Sequence, residues 1–242
     1  ALRRMYSFGL GSRFEAIHYQ PDLTSKIEVK GDNNFFNTYA SFKINNLSNV
    51  IYPRSGLKME IEAGYIYNQH PRLSFFNQGT PITNIDSLGI RFNNFFRTTL
   101  NYEHYFSLSH KTNLSTQIQA GINFNQKEML LNNFYVGGLV KTYRNQITFA
   151  GINEGTITSG SVATAMLALR YQLYPNVFLI GKANALYHDF VLSNKSLQHT
   201  SFLTGYAVTV GYNFLFGPLE ISAMYCDQTN KLLSYINLGI PF

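Results

Sequence analysis

The chain has 242 residues, of which 45% are hydrophobic, 15% aromatic and only 13% charged, with a net charge of +6 and a single cysteine. Its length suits one domain. No run approaches the roughly 18 consecutive apolar residues of a membrane-spanning helix, since even residues 177–180 are soon interrupted by Lys182 and Asn184, and apart from the adjacent pair Arg3-Arg4 the cationic residues are scattered singly, without the basic stripe that nucleic acid requires.

What remains is a mixture of Tyr, Phe, Asn and Thr that favours strands, and it alternates with period two over unusually long segments. The first segment, 5–20, sets Tyr6, Phe8 and Leu10 against Gly9 and Gly11. A link at 21–33 leads to a second, 34–47, and a short turn at 49–56 holds Tyr52-Pro53-Arg54-Ser55-Gly56. The third, 57–69, opposes Leu57, Met59, Ile61, Ala63, Tyr65 and Tyr67 to Lys58, Glu60, Glu62, Gly64 and Asn68. After a long link at 70–93 come 94–109, a turn at 109–113, and 112–126, where Leu114, Ile118, Ile122 and Phe124 oppose Gln117, Gln119, Gly121 and Asn123. A long link, 127–161, precedes 162–174, the turn Tyr174-Pro175-Asn176, and 176–190. Beyond a link at 191–200, segment 201–216 sets Phe202, Tyr206, Val208, Val210 and Tyr212 against Gly205, Ala207, Thr209 and Gly211. The turn Gly217-Pro218, segment 219–227, a link near 227–230 and a last segment, 231–242, complete the series.

Aromatic ends with aliphatics between them on one face, and small polar residues on the other, fit a bilayer outside and a polar lumen inside. The links also alternate in length, as short periplasmic turns and long outer loops do. The chain is therefore expected to be all-β: an antiparallel transmembrane β-barrel of about ten strands, one domain over 1–242, in the bacterial outer membrane with its C-terminus in the periplasm. Arginine at Val208, on the lipid face, should cost more than arginine at Thr209. The last segment puts Leu232, Ile236, Leu238, Ile240 and Phe242 on one face and resembles the C-terminal targeting strand of bacterial outer-membrane barrels, with Phe242 as its terminal aromatic.

Two motifs carry a more specific resemblance. Asn133-Phe134-Tyr135-Val136-Gly137-Gly138 is similar to the aromatic-x-Gly-Gly entry into the sixth outer loop of the outer-membrane insertase and transporter superfamily typified by BamA and TamA, and Tyr52-Pro53-x-x-Gly56 resembles its aromatic-Pro-x-x-Gly periplasmic turn. Such residues suit tight turns because Pro presets φ and Gly accepts positive φ. Five segments follow the long loop, as five strands follow the sixth loop of a sixteen-stranded family barrel, so the ten segments match strands seven to sixteen. The resemblance implies six further strands, from missing upstream sequence or a second chain, and as partners the barrel-assembly machinery, outer-membrane lipid and lipopolysaccharide. The chain departs from the family at the loop tip, where Val-Arg-Gly-Phe is replaced by a stretch whose only arginine is Arg144. The turn, loop entry and Asn-rich aromatic strands look most like the barrel of patatin-like outer-membrane proteins, in which a lipase domain precedes the barrel.

No residue set makes an active site. There is no Gly-x-Ser-x-Gly elbow for an acyl hydrolase, and His18, His70, His104, His110, His188 and His199 are scattered among strand ends and loops, as interfacial or surface histidines are. Cys226 has no Cys or His neighbours at zinc spacing and reads as a small strand residue. Neither catalytic, cofactor nor metal residues are assigned. Lumen charges such as Arg13, Glu15, Lys58, Glu60 and Glu62 are expected to neutralise one another across strands. The apolar link from Asn133 to Ser161 should fold into the lumen, with Tyr143, Arg144 and Phe149 nearest the wall and Arg144 paired to Glu60, Glu62 or Glu103. The functional expectation is a membrane anchor or translocation pore for an upstream passenger such as a patatin-like lipase. The alternatives are a barrel-assembly or protein-translocation protein with a divergent loop tip, and a self-contained ten-stranded porin or structural barrel.

Overall fold

Alternating side chains leave every backbone amide of a segment free to pair with a neighbour, and in the computed structural model they do so almost throughout. The structure describes residues 5–19, 27–77, 80–81, 92–126, 131–190, 201–215 and 217–239. The long strands are β1 (Met5–Tyr19), β2 (Ile27–Asn45), β3 (Gly56–Asn77), β5 (Phe95–Ser107), β6 (Thr112–Phe124), β10 (Ser161–Tyr174), β11 (Val177–His188), β12 (Ser201–Phe214), β13 (Gly217–Cys226) and β14 (Lys231–Leu238). They hydrogen-bond in that order, each antiparallel to the next, and β4 (Thr80–Pro81) pairs with the end of β3. Three short strands, β7 (Phe134–Val136), β8 (Gln146–Ile147) and β9 (Ile157–Ser159), form a separate sheet within the long link. The two end strands, β1 and β14, do not pair with each other among the described residues.

The two faces divide as the alternation requires. Phe8, Leu10, Leu167, Val208, Val210, Ile221 and Ile236 are each at least half exposed on the outer face, although they are apolar. Lipid is the solvent that makes such a surface favourable. Toward one end of the strands the rings of Phe14, Phe36, Tyr67, Tyr65 and Phe96 touch in succession across β1, β2, β3 and β5, with centroids 4.7–5.9 Å apart. That is the geometry of an interfacial girdle. On β14, Leu232 and Leu238 face outward with Ile236; Ile240 and Phe242 lie outside the described residues.

The structure corrects several boundaries. β2 and β3 run well into the expected links, to Ile27 and Asn77, because a bulge lets them continue. The register shifts between Asn34 and Phe36, and Asn68 adopts φ 54°. A bulge reverses the side-chain parity beyond it, so Gln69 and Phe75, not Asn68 or His70, turn inward. Pro71 is accommodated in β3 because pairing with β5 ends at Ile66, leaving that side of Pro71 without a partner strand among the described residues. Pro218 lies within β13, opposite Asn213, and not in a turn. Thr209 is fully buried and shares a 2.7 Å hydrogen bond with Ser222, so arginine there would overpack and is not the mild substitution expected of a lumen position.

Candidate functional site

The link after β6 is too apolar to stand in water, and its residues bury themselves. Phe134, Val136, Ile147, Phe149 and Ile152 form one cluster with Val162, Leu186, Leu203 and Cys226 of the strand wall. The loop has a skeleton of its own: β7 runs parallel to β8 and antiparallel to β9. Gly137 takes φ 130°, and a Cβ there would come within 1.9 Å of the Asn153 carbonyl oxygen, so only glycine permits this crossing. Phe134, Tyr135, Gly137 and Gly138 thus lie at the root of the folded loop, where Gly138 also forms a bridge with Phe149. Gln146, fully buried, ties the loop together. Its Nε2 donates to the carbonyls of Gly137 (2.8 Å) and Val140 (3.0 Å), and its Oε1 accepts from the Thr142 amide and hydroxyl.

The loop touches strands from nearly the whole length of the sheet. Leu131 lies over Gly31 of β2, and the Asn132 amide donates to Gln69 of β3. A Cβ on Gly121 of β6 would meet the Phe134 ring at 2.4 Å, and one on Gly205 of β12 would meet the Ala150 oxygen at 2.0 Å. Tyr235 of β14 donates to Glu154 at 2.7 Å. Strands so far apart in the pairing order reach one loop only if the sheet curves around it. The small residues of the inner face leave the space, and Phe134 and Ala150 occupy it. At the tip, the amide and hydroxyl of Thr148 both donate to Gln119 Oε1 at 2.8 Å, and with its amide oriented to satisfy both groups Asn184 bridges the Ala150 N–H and the Gly205 carbonyl. At the exit, Ser159 donates to Asp189. Burial opposes charge on Asp189, but hydrogen bonds from His188 and Ser159 outweigh it and hold the carboxyl below its usual range.

Arg144 does not play the part expected of it. It lines a cavity of about 270 Å³ together with Glu60 and Glu62, yet it is exposed and makes no ion pair among the described residues. Arg13 takes Glu62 and Glu15, Lys43 takes Glu60 at 2.7 Å, and Glu103 accepts from Tyr105. Of the three residues expected nearest the wall, Phe149 is buried there, whereas Tyr143 is partly exposed against Tyr135. A guanidinium that is buried against the loop is instead that of Arg97 of β5, which donates to Asn123 Oδ1 at 2.8 Å and to the Asn132 carbonyl, with Phe95 and Phe134 beside it. Nothing in the local pattern singles out Arg97, Gln119 or Gln146, since their partners are distant in sequence or depend on the folded loop. Among the described residues no three His, Cys, Asp or Glu side chains gather as metal ligands.

The turn between β2 and β3 also folds inward, at the end of the wall where the β10–β11 turn lies. Tyr52 packs on Phe178 of β11 with centroids 4.4 Å apart, and its hydroxyl donates to Glu220 of β13 at 3.0 Å. Arg170 of β10 donates to the carbonyls of Tyr52 and Pro53. Asn113 donates to the Arg54 carbonyl, and Arg54 donates to carbonyls of the β5–β6 turn. Gly56 closes the turn at φ 111°, where a Cβ would strike the Asn46 oxygen at 2.4 Å.

An antiparallel wall with an apolar exterior, curved around its own long loop, defines a transmembrane β-barrel protein of the kind whose lumen carries a folded-in segment. The family model of the OMP85 superfamily matches residues 1–242. The chain belongs to that superfamily, and is accordingly an outer-membrane barrel of the insertase and translocator type. No curated protein matches it.

Proposed function

We propose that this chain is the membrane-embedded part of a larger outer-membrane protein, holding or translocating an upstream passenger such as a patatin-like lipase domain, with residues 131–159 closing the lumen at rest. The observation that carries the reading is the seating of the loop on an inner face of small residues, Phe134 over Gly121 and Ala150 over Gly205. On this reading the edges of β1 and β14, which pair with no other strand among the described residues, join further strands, because an open edge in hydrocarbon costs several kcal/mol per unsatisfied group. The open order of the sheet favours it over a self-contained ten-stranded ring. The C-terminal end of β14 would face the periplasm, on the same side as the Tyr52 turn.

Conductance of the full-length protein in planar bilayers tests this. The unmodified protein should be closed most of the time, deletion of residues 139–148 should open it, and a disulfide between Gln119→Cys and Thr148→Cys should hold it shut. A steadily open pore that neither change affects would refute loop closure.

A further inference from the structure

Three cations line the cavity between loop and wall without a carboxylate of their own. The lining carries five cationic side chains against two carboxylates, and both acids are already engaged, Glu62 by Arg13 and Glu60 by Lys43. Arg97 is 4% exposed, yet its partners are an amide, a carbonyl and two ring faces, all neutral. Lys141 and Arg144 reach in from the loop and form no ion pair among the described residues. Withdrawing charge from water without a counter-charge is costly, and that cost falls on Arg97 and in part on Lys141, whereas Arg144 is exposed. Burial lowers the Lys141 ammonium, with Glu60 acting against that, and an added anion would act in the same restoring sense.

We propose that this cavity binds a small oxyanion of the phosphate type, clasped between Arg97 of the wall and Lys141 and Arg144 of the loop. The Arg144 fork, the Lys141 ammonium and the donors of Arg97 not taken by Asn123 and Asn132 are of the kind that phosphate oxygens accept from. A volume of about 270 Å³ admits one small anion with water and falls below the range of drug-sized ligand sites. Because half of the site comes from the loop, only the loop-in form can bind fully, so the anion would stabilise that form.

The test is calorimetric titration of inorganic pyrophosphate into the full-length protein in neutral detergent, which requires no transport and so stands or falls independently of pore closure. The expected result is one saturable site that weakens as salt is raised. Joint Lys141→Met and Arg144→Met substitution should weaken it about a hundredfold and leave anion-free thermal unfolding unchanged. Lys231→Met, at an exposed position outside the cavity, should leave binding intact. Repeating the titration in phosphatidylcholine vesicles with and without phosphatidic acid identifies the source. Competition by phosphatidic acid supports the site and points to a lipid headgroup; indifference supports it and points to a free anion. No saturable binding in detergent, or binding undiminished by the double substitution, would overturn the proposal.

Discussion

The loop over residues 131–159 and the turn around Tyr52 both lie inside the curve of the wall, but they are held by different means. Between its ends the loop is seated by apolar packing and by neutral amides, with Gln146 and Thr148 satisfying its backbone and Gln119 receiving its tip, and ionisable groups meet it near the ends, at Asn132, Glu154 and Ser159. The turn is held by ionisable groups, Arg170 gripping two carbonyls and Glu220 accepting from Tyr52. A neutral seat is lost when shape is lost and is indifferent to salt, whereas a charged clamp tolerates changes of shape and weakens when its charge is removed or screened. The wall thus carries one segment whose middle is fixed mainly by fit and another fixed mainly by charge.

Both depend on the register of the wall, so the largest effect is expected there. Val208→Arg, on the outward face near the middle of β12, should cost about 2–4 kcal/mol in urea unfolding from lipid. Thr99→Glu, beside the inner cavity, should cost much less; equal costs would contradict the assignment of the two faces, and a larger cost at Thr99 would mean they are reversed. Next comes the loop's seat. Gly205→Val would drive a side chain into the Ala150 carbonyl, which as backbone cannot swing aside, and should destabilise by about 1–3 kcal/mol with the loop displaced, seen as faster trypsin cleavage at Lys141. Unchanged cleavage would mean that the loop does not rest on β12.

Gln146→Ala removes four hydrogen bonds at once and leaves buried carbonyls unsatisfied. About 2 kcal/mol of local stability should go, read as hydrogen exchange at residues 137–142 and insensitive to salt. The turn should give the opposite signature. Arg170→Met, which keeps the length of the side chain, should cost about 1–2 kcal/mol at low salt and less at high salt, and Tyr52→Phe, which keeps the ring on Phe178, about 1 kcal/mol. If the turn substitutions were salt-independent and Gln146→Ala were not, the contrast between fit and charge would be wrong.

The wall was legible in the sequence because its code is local. Residues i and i+2 share a face whatever their partners do, so Val208 and Thr209, or Ile118 and Gln119, could be assigned to opposite faces from the alternation alone. Gly137 and Gly56 could be read as turn glycines, since positive φ is a demand of the backbone itself, whereas the aromatics beside them were singled out by a family resemblance and not by the alternation. The bulge at Asn68 was not, because one inserted residue reverses parity without altering composition, and it carried β2 and β3 beyond their expected ends. Nor could the alternation foresee that Thr209, though small and polar, would be fully buried against Ser222. The charges were the least legible. Arg144 stood out as the only arginine near the loop tip, but which guanidinium is buried depends on which carbonyls and rings the fold brings to it. The tertiary structure brings Asn123, Asn132 and Phe134 to Arg97 and leaves Arg144 in the cavity without a carboxylate. The sequence by itself determined the strands, their faces and the apolar loop that had to leave water. Only the tertiary structure decided where that loop rests and what it touches, because those contacts join residues far apart in the chain and their energy depends on shape and partner, which no local period encodes.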